Sequence, residues 1–269
     1  MNQLVYINNT SNAHLDVMRP TMLFGGLEAI VRNQNRQNSD LKLYEFGKTY
    51  LKGEEENKFK ESQHLTLFVT GQRAGESWRA AGNETDFYTL KTYVENVLNK
   101  LGLTKYQTSE AENQLFNYGL KYHRGQQGLV EFGKVTGKIC KKMSIKNAVF
   151  YADFNWDNIL KAIKKHKIRF QPLNKFPTMR RDLALVVDSK VKFSDIIGLA
   201  RKAEKKLLKD INLFDVFVSE EKLGAGKKSY AVSYEFENLE KTLSDKEVDK
   251  VMNKLIGSYE HQLGATIRR

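Results

Sequence analysis

KSYAVSYEFENLEKTLSDKEVDKVMNKLIGSYEHQLGATIRR, residues 228–269, decides the fold of the second half of the chain. Within it Tyr230, Val232, Tyr234 and Phe236 alternate with small or polar residues, so Lys228–Glu237 is expected to be a strand with one buried face. Ser244 and Glu247 form a capping box ahead of Val248, Val251, Met252, Leu255, Ile256, Tyr259 and Leu263, which recur at helical spacing until Gly264. Ala265–Arg269 supplies a last strand. Upstream, Ile211–Ser219 reads as a strand joined to Lys228 through the Gly224–Gly226 turn. Ser194–Leu208 reads as a helix packed through Ile196, Ile197, Ala200, Ala203 and Leu207, and Asp182–Val187 as a near-continuous strand. The order βαββαβ is that of a ferredoxin-like unit.

Pro172 and Pro177 close this unit off from what precedes it, because each lacks an N–H and biases its predecessor toward extended backbone. Residues 172–179 are therefore expected to be a linker between a first domain, 1–171, and a second, 180–269. In the first, Met22–Val31 has helical spacing, and Leu41–Leu51 and His64–Thr70 alternate as strands around a polar loop at 52–62. Thr85–Leu101 reads as a helix with Asp86 at its N-terminal dipole and Gly102 just past its end. Alternating runs at Leu115–His123, Leu129–Cys140 and Val149–Phe154 precede a short basic helix from Asn155. The first domain is thus largely antiparallel sheet carrying helices, and the fold class is α+β.

The 269 residues are 41% hydrophobic and 28% charged, enough apolar material to bury real cores and to exclude a mainly disordered chain. No apolar run reaches the length of a membrane span and the N-terminus lacks a secretory pattern, so a soluble cytoplasmic protein is expected. Cys140 is the only cysteine, and the five histidines form neither HExxH nor an i, i+4 pair. Gly128–Lys134 fits the first seven positions of a phosphate-binding loop, but Val135 stands where a Ser or Thr would hold magnesium, and the intervening residues alternate like a strand. No catalytic residue, cofactor site or metal site is therefore assigned. Lys and Arg number 44 against 32 Asp and Glu, a net charge of +12 that favours a polyanionic partner. Between Lys134 and Arg169 ten Lys and Arg face two acids, Asp153 and Asp157, which reads equally as one basic face or as lysines solvating helix exteriors.

Strand aromatics of the second domain offer a more specific signal. An exposed ring on a ferredoxin-like sheet is a platform for stacking a base. Phe214 and Phe217, three apart, point to opposite sides unless a bulge intervenes, so one should be exposed. Asp215 beside them is either a solvated turn carboxylate or an acceptor for a base edge.

Taken together, LDVMRPTML (Leu15–Leu23), LKLYEFGKTY (Leu41–Tyr50), TDFYTLKTYVE (Thr85–Glu95), FPTMRRDLALVVD (Phe176–Asp188), INLFDVF (Ile211–Phe217), GKKSYAVSYEFE (Gly226–Glu237) and TLSDKEVDKVM (Thr242–Met252) resemble the C-terminal part of the bacterial phenylalanyl-tRNA synthetase β subunit. The resemblance covers essentially the whole chain. It implies a class II synthetase catalytic-like domain followed by a ferredoxin-fold anticodon-binding domain. It also implies a non-catalytic role: in the family the α subunit charges phenylalanine tRNA using ATP and magnesium, and β scaffolds it in an (αβ)2 assembly. Nothing between Lys134 and Pro172 fits the GxGxxR whose arginine holds ATP in class II sites, so this chain alone is expected to be inactive and to bind neither cofactor. The modules that the family places earlier in β are missing, so the chain is expected to be a piece of a longer subunit. Residue by residue, Phe217 corresponds to the aromatic, usually Tyr, that stacks on the first anticodon base, Asp215 to a carboxylate beside that base, and Ser229 to a small polar contact. Arg180 and Arg181 are placed either for phosphate contacts or, for one of them, to pair with Asp182 next door. The implied partners are phenylalanine tRNA and the α subunit, with neither membrane nor DNA. The alternative is a stand-alone RNA-binding or interaction module with a repurposed first domain.

Overall fold

The computed structural model describes residues 3–9, 11–12, 15–53, 58–75, 77–78, 82–164, 167, 170 and 172–268. The chain divides into two compact units, Met1–Ile168 and Arg169–Arg269.

The first unit is built on a six-stranded antiparallel sheet in the order β1-β2-β6-β5-β4-β3. Its strands are β1 (Leu41–Lys52), β2 (Phe59–Thr70), β3 (Gln107–Glu110), β4 (Phe116–Arg124), β5 (Gln127–Val135) and β6 (Val149–Asn155). The polar hairpin between β1 and β2 is tighter than the loop expected at 52–62, and its tip at 54–57 lies outside the described residues. Helices α2 (Phe87–Lys100) and α4 (Trp156–Ile163) bury Leu90, Val94, Leu98 and Ile159 against Val130, Phe132, Ala152 and Phe154 on one face. Both start as the sequence suggests: the Asp86 carboxylate accepts from the Thr89 amide, and the Asn155 side chain accepts from the Asn158 amide. On the other face α1 (Leu23–Gln34) and α3 (Gly137–Lys142) share a core of Leu27, Ile30, Phe68, Cys140, Val149 and Tyr151.

The run Leu129–Cys140, expected to alternate throughout, leaves the sheet at Val135 and turns into α3. Thr136, Gly137 and Lys138 carry no apolar alternation, and Ile139 and Cys140 pack inward from a helix instead. Gly133, the second glycine of the phosphate-loop-like run, lies in β5 opposite Gly119, where an added Cβ would stand 2.4 Å from the Tyr118 carbonyl oxygen. The glycines there permit close strand approach rather than a phosphate cradle.

In the second unit β7 (Met179–Asp188), β8 (Leu208–Phe217), β9 (Lys227–Phe236) and β10 (Thr266–Arg268) form an antiparallel sheet in the order β10-β7-β9-β8. With α5 (Phe193–Ala203) and α7 (Asp245–Leu263) this is the ferredoxin-like arrangement read from the sequence. A one-turn helix, α6 (Glu220–Leu223), lies between β8 and β9. Helix α5 ends at Ala203, short of the expected Leu208. The Glu204 carboxylate accepts from the amides of Lys206 and Leu207, which fixes a turn there and frees Leu208 to open β8. The α7 capping box forms, with Glu247 and Ser244 bonded reciprocally, and Gly264 ends the helix in the left-handed region at φ 59°. Both long helices pack on one face, over Leu185, Val187, Tyr230, Val232, Tyr234 and Phe236. In that core the Tyr234 hydroxyl donates to the Tyr259 hydroxyl at 3.0 Å, and burial pushes the Tyr259 phenol up to about 12.

Candidate nucleic-acid interface

The face of the second sheet away from α5 and α7 is set by strand parity. Ser229, Ala231, Ser233 and Glu235 on β9 alternate with the buried Tyr230, Val232, Tyr234 and Phe236, and register places them beside Arg180, Asp182, Ala184 and Val186 on β7. From β10, Arg268 pairs with Ala184 and joins the same face.

Strand β8 reaches that face through a bulge. Ile211 pairs with Tyr234 and Leu213 with Val232, both core partners, but the register shifts after Leu213 so that Asp215 pairs with Ala231 and Phe217 with Ser229. Without the shift Asp215 would follow Ile211 and Leu213 into the core, where an unpaired carboxylate is strongly disfavoured. The bulge turns Asp215 and Phe217 outward and leaves Phe214 as the extra residue. Phe214 and Phe217 therefore share a side, the case in which the simple period of two fails.

Four of the five site residues inferred from the sequence thus converge, Phe217, Asp215, Ser229 and Arg180. Phe217 and Ser229 face each other in register and Asp215 stands one pair along. Ser229 is buried between Val186 of β7 and Phe217 of β8, Asp215 is exposed, and Phe217 is half-buried because Arg268 and Lys222 lie over its ring at 5.6 and 6.0 Å from the centroid. Phe214 is the more open ring, 51% exposed, with the Arg180 guanidinium 5.6 Å from its centroid. Arg180 is held by a two-pronged bond to Asp182, at 2.8 and 3.2 Å, so it joins the set already paired.

Arg181 does not join it. Paired with Tyr234, it lies on the helix side, where its guanidinium binds Asp245 and Asp249 of α7. Adjacent residues of a strand point to opposite faces, so the two arginines expected to act together serve different sides. Arg268 was missed by sequence reasoning. The signal was present in Thr266-Ile267-Arg268, whose single apolar residue must face the core and so turns Arg268 outward.

Among the described residues no three His, Cys, Asp or Glu side chains are grouped to hold a metal, and no helix is long and apolar enough to cross a membrane. The face presents rings, small hydroxyls, cations and carboxylates, Asp182, Asp215 and Glu235 among them, a set suited to stacking bases and holding phosphates.

Comparison with known proteins finds a match for each unit. Residues 1–156 match the family described as "Phenylalanyl tRNA synthetase beta chain CLM domain", and residues 174–268 match "Ferredoxin-fold anticodon binding domain". The phenylalanine-tRNA ligase beta subunit of Bacteroides fragilis is 42% identical over 275 residues, covering 98% of this chain and 33% of that protein. The beta subunit of Bacteroides thetaiotaomicron is 42% identical over 277 residues, covering 99% and 34%. That of Porphyromonas gingivalis is 37% identical over 274 residues, covering 98% and 33%. The chain spans about a third of the length of these relatives. Because the first match alone covers more than half of its residues and the second covers the remaining unit, the chain belongs to the phenylalanyl-tRNA synthetase β chain family.

Proposed function

We propose that this chain serves a phenylalanine-tRNA ligase as a non-catalytic part that holds the anticodon region of phenylalanine tRNA and scaffolds the catalytic α subunit in an (αβ)2 assembly in the cytoplasm. The observation that carries the reading is the outward turn of Asp215 and Phe217 beside Ser229 on the open sheet face. Phe217 stacks on the first anticodon base, Asp215 and Ser229 meet the edge of that base, and Arg180 on the same face supplies positive charge to the phosphates. A phenylalanine in place of tyrosine keeps the stacking and gives up any hydrogen bond from a phenol. ATP and magnesium act in the α subunit. Exposed apolar side chains on the first unit, among them Tyr44, Phe46 and Tyr88, support its role as a surface that a protein partner covers.

The test uses the reconstituted ligase with phenylalanine tRNA and an anticodon-swapped tRNA. Phe217→Ala is expected to lose roughly 1–3 kcal/mol of binding to the first, with the preference between the two reduced and the salt dependence little changed. If Phe217→Ala binds both as the parent does while Phe214→Ala abolishes discrimination, the stacking ring has been misassigned. The pure chain, free of α subunit, is expected to show no phenylalanine-dependent exchange of pyrophosphate into ATP, and measurable exchange would refute its non-catalytic role.

A further inference from the structure

We infer that the first unit carries a second, sequence-independent contact for an RNA phosphate backbone, formed where the C-terminal end of α1 meets α3. The two helices pack on one core through Leu27, Ile30 and Cys140. Their ends are stitched together by Gln34, whose amide donates to the Ser144 carbonyl at 3.1 Å and accepts from the Lys146 amide at 3.0 Å. This joins the end of α1, which carries Arg32 and is followed by Arg36, to the segment after α3 that holds Lys146, with Lys138, Lys141 and Lys142 on α3 itself; all six are exposed.

Acids close in sequence do not compensate their charge; among the described residues Lys146 alone of the six shares a cavity with carboxylates, those of Asp40 and Glu84. Neither 29–39 nor 132–152 contains an acid. None of the six makes an ion pair with a carboxylate among the described residues, whereas Lys48, Lys121 and Lys241 elsewhere do. Glu28, one helical turn before Arg32, is the nearest acid along α1, and the Asp40 carboxylate is engaged by the Gln72 amide. Helix stability accounts for part of the pattern, because cations in a last turn complement the helix dipole, as Arg32, Lys141 and Lys142 do. It does not account for Lys138, which stands in the first turn of α3 where a positive charge is unfavourable, nor for Arg36 and Lys146, which lie beyond the helices.

The chemistry selects the backbone of a nucleic acid over base edges or a protein. Two of the polar side chains among these cations are already used: the Asn33 amide donates to the Ala29 carbonyl and Gln34 is spent on the stitch. Lysine-rich surface is depleted from the cores of protein interfaces, whereas phosphate contacts need only clustered cations. The choice of RNA as the polyanion rests on the function proposed above; the patch itself does not.

Binding of the 269-residue chain to a mixed-sequence RNA duplex is measured across salt concentrations, with poly-L-glutamate as a competitor at equal charge. Replacing Lys138, Lys141 and Lys142 with Gln is expected to reduce the slope of log K against log salt by about 2 to 3, since each lost phosphate contact removes about 0.9. Because these side chains are exposed, folding should be unaffected; Arg32→Gln with Arg36→Gln, on the other helix, should lower the slope by a further 1 to 2 or so. Unchanged slopes in both variants, or poly-L-glutamate competing as well as RNA, would overturn the proposal, the latter pointing to an acidic protein face. Phe217→Ala in the tRNA assay separates the outcomes: its loss of anticodon preference persists if the patch fails, and the patch slopes persist if the anticodon reading fails.

Discussion

Arg180 and Arg181 are chemically identical neighbours with different duties, and strand parity alone divides them. Arg181 ties β7 to the first two turns of α7 through Asp245 and Asp249. Its side chain is about a third exposed, so solvent screens both pairs. Arg181→Gln is expected to lower unfolding stability by at most about 1 kcal/mol, read from the urea midpoint, and to leave the salt slope of tRNA binding unchanged. A reduced slope would return Arg181 to the phosphate contacts. The side on which Phe214 and Phe217 lie was legible only conditionally. Period two gives opposite faces, a bulge gives the same face, and the sequence clue was Asp215 falling in core parity after Ile211 and Leu213. Nothing in local sequence marks Lys222 and Arg268 as covers for the Phe217 ring, since that proximity depends on tertiary placement of α6 and β10.

At the level of elements, legibility followed the strength of the local signal. The α7 capping box and its left-handed Gly264 were readable because both ends have their own chemistry. The ends of α5 and of β5 were not: Leu207 and Leu208 continue an apolar spacing past the turn that Glu204 imposes, and Ile139 and Cys140 continue an alternation past the point where the backbone coils. The capping box also sets a pH dependence. A hydrogen bond from Lys241 and two from Ser244 hold the Glu247 carboxyl at about 2, below its ordinary value. A carboxylate depressed in the folded state stabilises fully above its unfolded pKa of about 4.3 and loses that contribution as pH falls toward 2. Glu247→Gln is therefore expected to be less stable than the parent at neutral pH, with the gap in melting temperature closing between about pH 4.5 and 2. A gap constant across that range would mean that the charge of Glu247 plays no part in the cap.

For the whole molecule, the division into an antiparallel first domain and a ferredoxin-like second was available from periodicity and prolines alone. The convergence of basic residues was not, because Arg32 and Arg36 lie a hundred residues or so from α3 in sequence and meet it only through the packing of α1. That packing also buries Cys140, the chain's single thiol, and burial pushes its pKa up. Thiol reagents attack the thiolate, so reaction with Cys140 must wait for α3 to lift from the sheet. A single buried thiol is consequently a clock for local opening that needs no engineered label. Disulfide-exchange labelling of the native chain is expected to follow one slow exponential, many times slower than in urea-unfolded protein, and to slow further when an RNA duplex occupies the lysines around α3. Equal rates in the folded and unfolded chain would show that α3 spends its time undocked.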